Sequence, residues 1–232
     1  MSFINVIILS FIEGLTEFLP ISSTGHLILT SAALGIQDEG FIKSFNIIIQ
    51  FGAILSVVFL YYKRFLPNIP FYKKIIIGFL PAAIIGLLVK DKIDAILGSV
   101  TVVAWALIVG GVILVLSDKY FEKKANNKTV ETLSTLDCLK IGFIQCFAFI
   151  PGVSRSAATI LGGLGLGMTR KEAAEFSFFL AVPTLTGAAA LKTFGILNTI
   201  QADQIGYLAL GTFLSFIFAI IAIQFFIKMV SE

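Results

Sequence analysis

The sequence predicts an all-α polytopic membrane protein, built as an inverted-topology repeat with two re-entrant helical hairpins and about five full spans. Three observations predict this. Of 232 residues, 57% are hydrophobic and only 13% charged, with a mean hydropathy of +0.98; a soluble domain carries about one quarter charged residues. The apolar segments have helical length, not the short alternation of a membrane β-barrel. Two polar runs, Glu13–His26 and Pro151–Thr159, lie inside the apolar sequence, each flanked by short segments.

The elements follow in order. Residues 3–19 form the first apolar element. It has no basic leader, and Glu13 and Glu17 interrupt it, so it does not read as a signal peptide. Pro20 ends it. The next element, 22–36, has 15 residues, or about 22 Å of helix against about 30 Å of hydrocarbon. Elements 41–62, 74–89 and 95–117 are assigned as spans. The polar stretch from Ser117 to Asp137 reads as a loop, and orienting the chain is role enough for its lysines. Elements 136–150 and 155–168 are again short, with Pro151-Gly152 between them. Spans 172–193 and 204–230 complete the set. Proline and glycine break helices, and a broken helix at membrane depth survives only against protein or a cavity. Each short pair therefore reads as a re-entrant hairpin with its tip near the midplane. Cys138 and Cys146 lack a metal-ligand pattern and read as apolar-face residues.

An offset of 131 residues places Ser22 on Val153, Ser23 on Ser154, Thr24 on Arg155 and Phe45-Asn46 on Phe176-Ser177. With a one-residue gap, Phe11-Ile12-Glu13 falls on Phe143-Ile144-Gln145. The chain thus divides into a first repeat (1–117), a cytoplasmic loop (118–135) and a second repeat (136–230), all in one membrane domain, 1–232. If the five long elements span, twelve basic residues share one side: Lys63, Arg64, Lys73, Lys74, Lys119, Lys123, Lys124, Lys128, Lys140, Arg170, Lys171 and Lys228. Lys43, Lys90, Lys92 and Lys192 take the other, and Arg155 is embedded. The positive-inside rule makes the richer side cytoplasmic and puts the N-terminus outside. Three spans separate the hairpins, so one opens outward and the other inward. In an inverted repeat the functional site lies where the broken helices meet.

The polar runs supply the candidate chemistry. A charged residue at a helix centre in a membrane costs roughly 2.5–3.5 kcal/mol, so Glu13, Glu17 and Arg155 call for pairing, water or a ligand. Glu13 and Glu17 are four apart and share a helix face; their repulsion raises one pKa or recruits a cation. Ser22, Ser23 and Thr24 stand where a helix starts. They read either as N-caps or as a phosphate cradle on free N–H groups. His26, the single histidine, is one turn beyond Ser23 and reads as catalytic. In the second run, Ser154, Arg155, Ser156 and Thr159 converge at helical spacing. Arg155 offers a planar fork for phosphate oxygens, or neutralises Glu13 or Glu17 in a structural pair.

These residues resemble the undecaprenyl-diphosphate phosphatases of the bacitracin-resistance type. The family's first motif reads here as Glu13, Glu17, Pro20, Ser22, Ser23, Thr24, Gly25 and His26; its second as Pro151, Gly152, Ser154, Arg155, Ser156 and Thr159. The stretch Glu175–Pro183 is similar as well. The resemblance covers nearly the whole chain. It implies hydrolysis of undecaprenyl diphosphate to the monophosphate carrier of cell-wall synthesis, an outward-facing site in the bacterial plasma membrane, and bacitracin resistance. It implies a polyprenyl diphosphate substrate among membrane lipids and no nucleic acid. Family members are usually longer by a final membrane helix. Either that helix is dispensable, or a second subunit in a homodimer covers the exposed face, or the sequence is truncated.

The expected catalytic set is Glu17, Ser23, His26 and Arg155. Glu13, Ser22, Thr24, Ser154, Ser156 and Thr159 are the expected substrate-binding set. Ser23 attacks the terminal phosphorus with His26 as base, and Glu17 orients His26 or, with Glu13, holds a divalent cation such as Mg or Ca. His26 as nucleophile and an activated water are the alternatives. A transporter of the same architecture is the rival function; an anion channel lacks a continuous polar lining.

Overall fold

A computed structural model describes residues 1–37, 40–96, 99–121, 128–196 and 199–231. Lys123 and Lys124 of the charged loop, and Leu97 and Gly98 of the predicted element 95–117, lie outside the described residues. Among the described residues there is no strand, and the chain is an all-α multi-pass membrane protein. Five stretches of the described residues are long and apolar enough to cross a membrane: Gly40–Leu60, Ile69–Leu88, Val100–Ser117, Arg170–Ile196 and Gln204–Ser231. They coincide with the five predicted spans.

The helices are α1 (Phe3–Thr16), α2 (Ser23–Ala33), α3 (Gly40–Ile48), α4 (Gln50–Leu60), α5 (Ile69–Leu88), α6 (Lys90–Ile96), α7 (Val100–Phe121), α8 (Thr135–Gln145), α9 (Arg155–Gly165), α10 (Arg170–Ile196) and α11 (Ala202–Ser231). A turn at Ile49 divides the first span into α3 and α4. Helix α5 starts five residues before the predicted 74, because Asn68 caps it: its Oδ1 accepts from the Phe71 N–H at 3.2 Å, with Pro70 in the first turn. Helix α8 begins with a capping box, Ser134 and Asp137 each accepting from the other's backbone N–H at 3.1 Å. It passes into a 3-10 turn, Cys146–Phe149. The 14 residues of α1 and the 11 each of α2, α8 and α9 give about 16–21 Å per helix, too short to cross about 30 Å.

Helices α1 and α2 pack together, as do α8 and α9. Each first arm leans on a span of the other half: α1 on α11, α8 on α5. The α1 and α11 backbones come close at Gly14, where a Cβ would stand 2.7 Å from the Ser215 carbonyl oxygen. A core of Phe18, Phe71, Ile141, Phe176, Phe178 and Phe179 fills the space between α4, α5, α8 and α10. Phe18, in the turn between α1 and α2, is fully buried and meets Phe178 edge-on at 5.1 Å between centroids. This ring anchors the first hairpin's tip. Helix α7 instead turns Trp105, Val112 and Leu116 outward and makes its main contacts with α2 and α9.

At the far end of α4 and α5, residues 128–134 form a polar strap. Glu131 pairs with Arg64, the Val130 N–H donates to Glu172 at 2.8 Å, and Lys74 donates to the Val130 carbonyl at 3.0 Å.

Candidate active site

The two hairpin tips meet. A Cβ on Gly25 would stand 3.4 Å from the Gly152 Cα. Gly152 has φ +95, a conformation that favours glycine, and a Cβ there would lie 2.7 Å from the Val103 carbonyl oxygen of α7. Ser22 also has positive φ, at 65°, and is the one non-glycine residue with that property among those described. Its Oγ accepts from the Gly25 N–H at 3.3 Å. A serine in this sparsely populated region is strained by about 1–3 kcal/mol, as is common where a site must be pre-shaped.

Glu17 is the junction. The Ser23 hydroxyl donates to its Oε2, and Arg155 Nη2 donates to its Oε1 at 2.7 Å. The partners come from α2 and α9, so one carboxylate ties both hairpins together. Arg155 is held on its other side, Nη1 donating to the Ser177 carbonyl at 3.0 Å. Thr159 donates to Ser177 Oγ at 2.7 Å, and Ser156 donates to the Phe18 carbonyl at 3.2 Å. Ser156 and Thr159 thus tie α9 to the turn at Phe18 and to Ser177 of α10. Ser154 caps α9, accepting from the Ala157 N–H at 3.1 Å. His26 Nδ1 lies 2.8 Å from the Ser22 carbonyl oxygen. That carbonyl only accepts, so Nδ1 carries a proton. Glu13, one turn before Glu17, is fully buried with both oxygens lacking a hydrogen-bond partner.

A cavity of about 180 Å³ opens at this junction. Of the predicted residues, Glu17, Ser22, Ser23, Thr24, Ser154 and Arg155 line it, whereas Glu13, His26, Ser156 and Thr159 are not in its lining. The N-termini of α2 and α9 both reach its wall, and a helix N-terminus attracts anions through its free N–H groups and partial positive charge. With Arg155 alongside, the cavity is suited to phosphate and presents a hydroxyl beside it. Sequence reasoning missed four polar participants. Ser177 fixes Arg155, and Gln50, Gln145 and Thr184 line the cavity. Two carried a signal: the repeat offset aligns Ser177 with Asn46 and Gln145 with Glu13.

A multi-pass helical protein with a cavity suited to phosphate, a carboxylate–serine pair and an arginine has the makings of a membrane protein that handles phosphorylated lipids. Comparison with known proteins narrows this. Residues 6–232 match the family model described as bacitracin resistance protein BacA. A Bdellovibrio bacteriovorus protein named undecaprenyl-diphosphatase is 55% identical over 233 residues, covering 100% of this chain and 89% of its own. Proteins of the same name from Flavobacterium psychrophilum and Aquifex aeolicus are 48% and 44% identical, covering 100% and 97% of this chain and 88% of each of theirs. The chain belongs to the bacitracin resistance protein BacA family.

Proposed function

We propose that this protein is an undecaprenyl-diphosphate phosphatase, releasing phosphate from undecaprenyl diphosphate and returning undecaprenyl phosphate to cell-wall synthesis. The observation that carries this reading is the hydrogen-bonded chain Ser23–Glu17–Arg155 at the meeting of two hairpin tips, in a member of a family whose relatives bear that name.

Ser23 Oγ attacks the terminal phosphorus as its proton passes to Glu17. The Oγ–P bond forms, the bridging P–O bond breaks, and undecaprenyl phosphate leaves. Water then attacks the phosphoserine, His26 Nε2 receiving its proton, while the Oγ–P bond breaks and Ser23 Oγ takes its proton back from Glu17. This differs from His26 as base for the serine, because the Ser23 hydroxyl is bonded to Glu17. Arg155, Ser154, Ser22, Thr24 and the first N–H groups of α2 and α9 hold the phosphates, while Ser156 and Thr159 hold the frame. The unpartnered carboxyl of Glu13 beside Glu17 suits a divalent cation, Mg or Ca; Mg is commonly held by one or two carboxylates plus substrate phosphates. Such an ion, held by Glu13 and Glu17, would supply charge neutralisation at the diphosphate.

The hairpins are re-entrant within the bacterial plasma membrane, and the two halves are inverted repeats; the reciprocal packing of α1 on α11 and α8 on α5 supports this. The cavity faces outward. Along α10 it runs from the level of Arg155 to Ala188, toward Lys192 and away from Arg170. The outward side of α7 is the surface a homodimer would use.

The test is phosphate release from undecaprenyl diphosphate by the detergent-purified protein, with acid quenching to trap phosphoserine at position 23. Ser23→Ala is expected to lower turnover at least about a hundredfold. Near-full turnover in that variant would remove the nucleophile assignment. No release by the unaltered protein under any cation condition would leave a carrier in place of an enzyme.

A further inference from the structure

Gln145 ends α8 inside the cavity wall. It is 1% exposed, yet its Nε2 has no hydrogen-bond partner. Its Oε1 lies 3.3 Å from Thr184 Oγ1, whose single proton is shared between that oxygen and the Leu180 carbonyl at 2.8 Å. A buried amide with one end unsatisfied is unfavourable by about 1–3 kcal/mol, and native interiors leave few of them. Of the cavity's other polar groups, Arg155 acts on Glu17 and Ser177 through its two terminal nitrogens, Ser23 acts on Glu17, and Ser22 and Ser154 cap α2 and α9; Arg155 Nε is a second buried donor without a partner, and Thr24 and Gln50 also line the cavity. The amide of Gln145 is not used in that chain.

The neighbours of Gln145 indicate what it meets. Thr184, Leu185 and Ala188 of α10 and Phe149 of the 3-10 turn line its part of the cavity. This is an apolar wall with one polar pair, set on α10 two to three turns beyond the Ser177 that holds Arg155. A lipid diphosphate whose terminal phosphorus lies at Ser23 presents its second phosphate next, and then its first prenyl carbons. An amide at the border of polar and apolar walls matches that second phosphate. With an anion in the cavity, the amide orientation that turns Nε2–H toward it, and Oε1 toward Thr184, is favoured. The repeat offset is consistent with a divided role: the related position in the first half is Glu13, an acceptor, and here it is a donor.

We infer that Gln145 is a binding determinant for the phosphate that is not transferred, donating its Nε2–H to the phosphate esterified to the prenyl chain, with Thr184 orienting the amide. The identity of the ligand rests on the phosphatase reading; the presence of a donor for a prenyl-linked phosphate does not require turnover.

The experiment compares the unaltered protein with Gln145→Met, which keeps length and removes the amide. Three quantities are read: KM and kcat for undecaprenyl diphosphate, inhibition by inorganic phosphate, and equilibrium binding of undecaprenyl phosphate. Loss of one hydrogen bond to an ionised group raises KM about tenfold or more, with kcat changed less than about threefold. Binding of undecaprenyl phosphate, which retains the esterified phosphate, weakens by the same factor, while inhibition by inorganic phosphate stays the same. Equal weakening of both ligands would reveal a general distortion of the cavity and overturn the assignment, as would unchanged undecaprenyl phosphate binding. Should the methionine variant not fold, Thr184→Val carries the test: it removes the orienting hydroxyl and is expected to give the same selective pattern at smaller amplitude. If the unaltered protein releases no phosphate, the phosphatase reading fails, and the binding arm still decides the role of Gln145.

Discussion

At the scale of single residues, the Glu17–Arg155 pair dominates. Both side chains are nearly buried, 6% and 10% exposed, and they come from different halves of the chain. Removing one member leaves the other charge uncompensated, which costs about 3–5 kcal/mol in buried pairs; replacing both with neutral groups of similar volume is often harmless. Arg155→Met is therefore expected to lower thermal stability sharply in detergent. The double variant Glu17→Gln with Arg155→Met should recover most of that stability while remaining inactive. Scanning fluorimetry beside the phosphate assay checks both outcomes. A double variant as unstable as the single one would mean that the pair is not what joins the hairpins. The charged members of this site were legible in the sequence because an ionised group in an apolar run is conspicuous. Ser177 was less so: the repeat offset pairs it with Asn46, but a buried serine on α10 looks the same whether it faces lipid, backbone or an arginine. The precise use of Ser156 and Thr159 was equally hidden: helical spacing brings their side chains near Arg155, but only tertiary packing turns them toward the Phe18 carbonyl and Ser177.

At the scale of elements, glycines decide how closely helices cross. In α4, a Cβ on Gly52 would collide with the Thr212 carbonyl of α11, and in α8 one on Gly142 would collide with the Gly78 carbonyl of α5. These contacts are with backbone, which cannot swing aside. Small residues at such crossings let membrane helices approach without a hydrophobic drive. Gly52→Ala or Gly142→Ala is expected to destabilise by about 1–3 kcal/mol or more through overpacking. Gly110 and Gly111 of α7 have nothing within 4 Å of the added carbon. Alanine there should be neutral or stabilise by about 0.5–1 kcal/mol, the helix penalty of glycine. Thermal unfolding of the four variants in one detergent checks the contrast; a stable Gly52→Ala would mean that α4 and α11 are not packed as described. The five spans were legible because twenty apolar residues have one physical meaning in a membrane protein. The ends were less so. The cap at Asn68 extended α5 beyond the apolar run, and the break at Ile49 has no proline or glycine at that position to announce it.

At the scale of the whole molecule, direction across the membrane decides what the cavity can reach. Helix α10 fixes the axis: Arg170 and Lys171 stand at one end, Lys192 near the other, and the cavity extends toward Lys192. The polar strap gathers Arg64, Lys74, Glu131 and Glu172 at the opposite end of the bundle. If the five spans alternate as the sequence predicts, twelve basic residues fall on the strap side against four on the other; the proposed orientation then keeps the strap in the cytoplasm, with the cavity mouth and the N-terminus outside. Single cysteines in a background with Cys138 and Cys146 replaced by alanine read this directly. Lys192→Cys should react with an impermeant maleimide in right-side-out vesicles, and Lys63→Cys only in inverted ones. Each variant is first checked for phosphate release, so that labelling reports the active fold. The reverse pattern would turn the cavity toward the cytoplasm and require a lipid diphosphate supplied from within. Labelling of each position from both sides would mean dual insertion, and the charge asymmetry would then not orient this chain.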